Sequence, residues 1–288
     1  VELLVSILVL GTTYALLAAG IVIVYKASRV VNFAHGELAI VGAYVFYSVA
    51  ILMPGQSLPL TIAVTALVSA VFGVIIYFAL MRSLLGQPTF VAAMVTIGIA
   101  IIFKAAIVVV WQSKSVGINL GRQILYSFPG GGRLTIVDVI TLVTGVVFFA
   151  ALFGFFGYTR LGRQFRGAAE NPLLASQRQV NVNLILALAW GTAVFSASLA
   201  GVLFGSRSML SPQSTIIGLS GLTAALVGGL DSLRGAIIGG MLVAAATYIT
   251  ARMVDPALSE AVPFVILLVV MCWRPWGLFG TPEELNRV

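Results

Sequence analysis

Residues 3–25 contain no Asp, Glu, Lys or Arg, and comparable apolar runs recur to the end of the chain. A run of this length matches the roughly 20 helical residues needed to cross a hydrocarbon layer. Lipid offers no partner for backbone N–H and C=O groups, so such runs must satisfy them internally, as helices do. The runs are too long, and alternate too little, for barrel strands. Eight segments stand out, at 3–25, 34–53, 58–81, 90–111, 134–157, 184–204, 216–250 and 261–273. The stretch 216–250 exceeds one crossing and carries GGLDSLRGA in its middle, so it divides into two shorter pieces. With 60% hydrophobic and 9% charged residues, the chain has too little polar surface for a water-soluble domain of this size. The expected fold is an all-α integral membrane protein: one domain over 1–288, a polytopic helical bundle of roughly 8–10 transmembrane segments with discontinuous helices.

The single cysteine, Cys272, excludes an internal disulfide and a cysteine-based metal cluster. The net charge of +7 is spread over the interhelical segments, which points to membrane topology and not to nucleic acid. The first apolar run is long enough to span and is expected to be a retained helix and not a cleaved signal. Between about 158 and 183, Arg160, Arg163, Arg166 and Arg178 stand against Glu170 alone, which makes this segment the cytoplasmic one. Counting spans outward then puts Lys26, Arg29 and Arg82 inside. The 112–133 segment falls outside despite its own basic residues. If the break at Asp231 reaches the cytoplasmic side, the tail from Arg274, with Trp273 and Trp276, also ends inside.

Within the basic segment, Leu161, Phe165, Ala168, Ala169 and Pro172 supply apolar contacts while Arg163, Arg166 and Glu170 are polar. The pattern is that of a short amphipathic surface helix. Arg166 and Glu170, four apart, can face each other. Asn171-Pro172 bends the chain into a second helix. A plain topology anchor needs only charge, whereas this segment also has what docking into a partner's groove requires.

Two breaks interrupt the apolar pattern, and a break is costly in lipid unless protein or a water-filled cavity satisfies it. The first, 28–36, holds Asn32 as a candidate cap, the only histidine (His35), Gly36 and Glu37. The second, 228–240, holds Gly228, Gly229, Asp231 and Ser232. Discontinuous helices at opposite ends of a chain are the mark of inverted-repeat transporters, so the two breaks are expected to be counterparts bordering a translocation path. After the first, Gly36, Ala39, Gly42 and Ala43 form a smooth packing face. One histidine cannot build a metal site. Lys104, within 90–111, is expensive facing lipid and is expected to face the bundle.

Taken in order, NFAHGELAIVGAY, GRQFRGAAENPLLA and GGLDSLRGAIIGG resemble the permease subunits of bacterial ABC importers for branched-chain amino acids. The likeness runs from GTTY near residue 11 to RPWGLFG. It implies that 162–175 is the coupling helix, with Arg163, Arg166, Glu170, Asn171 and Pro172 resting on the ATPase. It further implies a second permease, homologous or identical, two ATP-binding subunits that carry ATP and Mg, and an extracytoplasmic solute-binding protein. The implied location is the bacterial inner membrane. The chain itself contains no G-x-x-x-x-G-K-[ST], is not expected to be an enzyme and is expected to hold no cofactor. Gln177-Arg178-Gln179 departs from the family, which has apolar residues followed by glycine there, so the hinge is expected to be stiffer or more polar. Related permeases serve urea, short amides or other small carboxylates, and these are the alternative substrates. An ion-coupled secondary carrier would need Glu37, Asp138 or Asp231 buried near the midplane. An intramembrane enzyme lacks any nucleophile–base constellation.

Overall fold

The structure, a computed structural model, describes residues 2–53, 57–121, 123–127 and 133–281. The Pro54-Gly55 and Pro129–Gly132 turns expected from the sequence lie outside these residues, as does the end of the tail. Eleven α-helices are described: α1 (Glu2–Ser28), α2 (His35–Leu52), α3 (Leu58–Ala79), α4 (Thr89–Trp111), α5 (Ile136–Tyr158), α6 (Arg160–Glu170), α7 (Pro172–Gln177), α8 (Val182–Arg207), α9 (Ile217–Gly228), α10 (Leu233–Met253) and α11 (Val262–Trp273). Seven of them, α1–α5, α8 and α10, are long and apolar enough to cross a membrane. The polytopic helical fold is as expected, and α9 and α11 are the shorter apolar pieces that complete it. A two-stranded hairpin, β1 (Ile124–Ser127) with β2 (Arg133–Thr135), decorates the connection between α4 and α5 and has no counterpart in the apolar pattern of the sequence.

Burial divides the helices by task. In α1 and α8, 83% and 78% of the spanning window is buried inside the chain, against 17% in α4. The first two form the core, and α4 leaves Ile101, Ile102, Val109 and Val110 on its outer surface. In water such a face would be untenable, whereas lipid or a second subunit covers it at little cost. Apolar burial gains little against apolar lipid, so helix contact here depends on close approach and polar links. Ser196 Oγ donates to the Leu16 carbonyl at 2.5 Å, tying α8 to α1, and Ser69 Oγ donates to Ser198 Oγ at 2.7 Å, tying α3 to α8. The small face of α2 seats on α8: Gly42 lies against Ser198, and Ala39 O against Gly201.

The packing has an internal inverted pattern. A long helix, an irregular segment, a shorter helix and a third helix of more than 20 residues follow one another as α1–α2–α3 and again as α8–α9–α10. The long helix of each set packs on the third helix of the other, α1 on α10 and α8 on α3. Each long helix also packs on the other set's short helix, α1 on α9 and α8 on α2. The counterpart of the first break is therefore 208–216, not 228–240.

Candidate functional site

α1 ends at Ser28, and Arg29 turns the chain back with a left-handed φ of 57°. The next residues return into the bundle without helix or strand and end in a turn at Phe33–Ala34, so that the His35 ring packs against Gly20 of α1. Gly20 lies eight residues before the end of α1, roughly 12 Å deep at the helical rise. The six residues 29–34 span up to about 20 Å when extended, enough for this return. Asn32 does not cap α2. Its Oδ1 accepts from Ala34 N at 3.0 Å in a tight turn, and the first turn of α2 has no side-chain cap. Phe33 N donates to Thr96 Oγ1 of α4 at 3.2 Å, fixing the returning segment.

From the opposite side, Ser208 ends α8, and Leu210 pairs with Val116 through two backbone hydrogen bonds of 3.0 and 2.8 Å. Ser211 N donates to Ser214 Oγ, and Pro212 opens a 3₁₀ turn that runs into α9. The N-terminal ends of α2 and α9 meet where both lack side chains, at Gly36 and Gly218. A Cβ on Gly36 would stand 2.5 Å from Thr215 O and 2.9 Å from Gly218 Cα. Only glycine allows this backbone contact.

Beside that contact lies a cavity of about 400 Å³, lined by Asn32, His35, Gly36 and Glu37 together with Lys104, Gln213, Thr215 and Gly218. The four sequence-predicted residues of the first break thus share one site. Asn32 and His35 are each 1% exposed. Among the described residues, Asn32 Nδ2 and both imidazole nitrogens have no hydrogen-bond partner. Buried polar atoms are seldom left so, and functional sites are where exceptions gather. Glu37 is half-buried and lines the same cavity as Lys104. Lys104 itself is exposed on the single chain, at the cavity's rim between α2 and α9, and not turned into the bundle as expected. Thr215 and Gly218 join the site although the sequence pattern does not single them out. Their signal was the polar SPQST before an apolar run, outweighed there by the glycine density further on.

Gly228, Gly229, Asp231 and Ser232 lie elsewhere, at the end of the bundle where α1, α5 and α11 finish. Gly229 carries a φ of 108° and faces the backbone of Gly280. The last carbonyls of α9 are taken by the tail, with Leu278 N donating to Val227 O and Phe279 N to Gly228 O, both at 2.9 Å. Such carbonyls have no partner within their own helix. Asp231 accepts from Thr281 N and Thr281 Oγ1, and Ser232 caps α10 through Gly235 N at 3.0 Å. An open hollow of about 730 Å³ at this end is lined by Lys26, Arg166, Asp231, Ser232 and Arg234. The second break and the basic segment are thus neighbours.

In that segment, Thr159 Oγ1 caps α6 by accepting from Gly162 N at 2.9 Å. Gly162 lies so close to α5 that a Cβ would stand 2.8 Å from Phe156 Cα. Phe165 and Ala168 are buried, Phe165 edge-on to Phe156 with ring centroids 4.9 Å apart. Leu161 is left exposed. Arg163, Arg166 and Glu170 are on the exposed side. Arg166 does not pair with Glu170; its Nη1 donates to the Phe156 carbonyl. Asn171 caps α7 through Leu174 N at 3.1 Å, and Pro172 takes the first helical position. Gln179 has a φ of 60°, a left-handed position that glycine fills without steric cost.

No solved structure matches the chain. The chain is 30% identical, over 97% of its length and 95% of the relative's, to the high-affinity branched-chain amino acid transport system permease protein BraD of Pseudomonas aeruginosa. It is 28% identical to the similarly named LivH of Escherichia coli K12, over 95% of the chain and 93% of the relative. With the probable branched-chain amino acid transport permease protein LivH of Methanocaldococcus jannaschii it shares 27%, over 95% and 90%. Residues 3–271 match the family described as branched-chain amino acid transport system / permease component, and a match across nearly the whole helical bundle means that the chain belongs to that permease family.

Proposed function

We propose that the chain is the translocating subunit of an ATP-driven importer that carries branched-chain amino acids into the cytoplasm through the cytoplasmic membrane. The observation that carries this reading is the meeting of two half-helices at Gly36 and Gly218 beside a polar-lined cavity. Half-helices from inverted repeats that meet inside a bundle are a frequent design for transporter sites. Glycine contacts give the two repeats a smooth surface on which to rock.

The engine belongs to other chains. Two ATP-binding subunits with ATP and Mg would press on α6 and α7 through Arg163, Arg166, Glu170 and Asn171, with Pro172 starting α7. The anchored side of α6 on Phe156 and Gly162 supports transmission to α5. Neighbouring Asp231 and Ser232 would carry the push to α9 and α10. A second permease would cover the open side of the cavity, and a solute-binding protein would deliver substrate from the far side. No nucleic acid is involved.

The test is uptake into proteoliposomes that contain this chain, its partner permease, both ATPases and the binding protein. Labelled leucine should accumulate, and unlabelled isoleucine and valine should compete, while urea and acetamide should not. Uptake of urea or acetamide in place of leucine would reassign the substrate within the family.

A further inference from the structure

We propose that the cavity beside Gly36 is a zwitterion-selecting site, in which the permease itself holds the α-carboxylate and α-ammonium groups of the amino acid in transit. This rests on the importer reading above and adds a recognition step inside the membrane. Four observations converge on it. The first turn of α2 borders the cavity at His35, Gly36 and Glu37 and has no N-cap side-chain hydrogen bond, and the positive end of its dipole favours an anion there. Asn32 and His35, almost wholly buried, line the same space, and Asn32 Nδ2 has no hydrogen-bond partner among the described residues. Lys104 adds a cation at the rim, and Glu37, one short step along α2, adds an anion. Ile21, Leu219 and Leu222 complete the wall with apolar surface.

The charges come in one pair of opposite sign, on two different helices, beside an aliphatic wall. That is the complement of an α-amino acid with a branched apolar side chain. Urea and short amides carry neither charge and could pair with neither half-buried Glu37 nor Lys104, so they would gain less from this lining than a zwitterion does. The cavity's volume of about 400 Å³ falls in the roughly 300–1,000 Å³ range of small-molecule sites. In this arrangement the carboxylate lies toward the α2 amides, Asn32 and Lys104, and the ammonium toward Glu37. The binding protein selects once outside, and the permease selects again within.

The experiment uses the complete importer in proteoliposomes, with initial leucine uptake measured against the concentration of leucine-loaded binding protein. E37Q and K104Q should each lower maximal uptake about tenfold, equivalent to roughly 1.4 kcal/mol. The half-saturating concentration of binding protein should stay unchanged, because docking lies outside the membrane. Glu37→Asp and Lys104→Arg, which keep charge, should recover most of the rate. Single variants that transport leucine within twofold of the parent would overturn the proposal and leave the importer reading standing. Failure of the parent to transport leucine would instead remove that reading. A second measurement needs no variant: carbodiimide labelling of Glu37 in the parent complex, without binding protein, followed by mass spectrometry. Millimolar leucine should slow labelling several-fold while acetamide does not, and equal rates with the two would refute the site.

Discussion

Replacing Gly36 by alanine adds one methyl group at the point where the half-helices touch. That carbon would meet Thr215 O at 2.5 Å and Gly218 Cα at 2.9 Å. Ordinary contact begins near 3.4 Å, so the two backbones must part by about 1 Å. Neither neighbour is the end of a flexible side chain, and overpacking of this kind costs roughly 1–3 kcal/mol. Alanine's higher helix propensity returns at most about 1 kcal/mol, so the penalty wins. Gly98 of α4 is the control, because a Cβ there meets nothing within 4 Å. Gly98→Ala should therefore be neutral or slightly stabilising. If the penalty falls on the arrangement with the half-helices in contact, it shifts the balance of states by roughly 5–150-fold. The assay is maleimide labelling of Leu222→Cys at the cavity wall in a Cys272→Ser background, together with leucine uptake. Gly36→Ala should change the labelling rate several-fold and depress uptake. Identical labelling and uptake in Gly36→Ala and Gly98→Ala would refute the idea that this contact is part of the moving mechanism.

Other expectations follow from particular contacts. Arg166→Glu removes the link to the Phe156 carbonyl and should uncouple ATP hydrolysis from uptake, with a loss of at least about tenfold for a charged hydrogen bond. Glu170→Lys should do less, and equal effects would show that charge alone matters there. Asp138 both caps α5 with Thr135 and pairs with Arg207; because Arg207 is 40% exposed, Asp138→Ala should cost about 1–3 kcal/mol and not the larger figure for a fully buried pair, read by unfolding in detergent. Asp231→Ala releases Thr281, so the Leu278 and Phe279 amides should lose hydrogen-exchange protection while those of α9 keep theirs. Gln179→Gly should raise stability by up to about 1 kcal/mol, since the left-handed φ strains glutamine.

The helices themselves were legible in the sequence because lipid leaves an apolar run few options. The boundaries at Asn171-Pro172 and the split of 216–250 followed from capping chemistry and glycine. Glycine density is a poor marker of the symmetry between the breaks. Gly228, Gly229 and Gly235 mark a tight junction between α9 and α10 and a seat for the tail, while the true partner of the first break carries only Gly218 and a proline-led turn. A pairing across about 180 residues leaves no local trace in either segment. The role of Arg166 was hidden for a similar reason: helical spacing points to Glu170, but the turn at Thr159 brings the end of α5 within reach of the guanidinium. The exposed position of Lys104 was also hidden, because hydropathy reports how apolar a span is and not which neighbour covers it.

The energy source tests the account at its centre. Proteoliposomes with the complete importer are loaded with ATP or with a non-hydrolysable analogue, and a proton or sodium gradient is imposed in a separate series. The account predicts leucine accumulation only with hydrolysable ATP, with both ATPases and with the binding protein. Accumulation driven by an ion gradient in vesicles that hold this chain alone would contradict it.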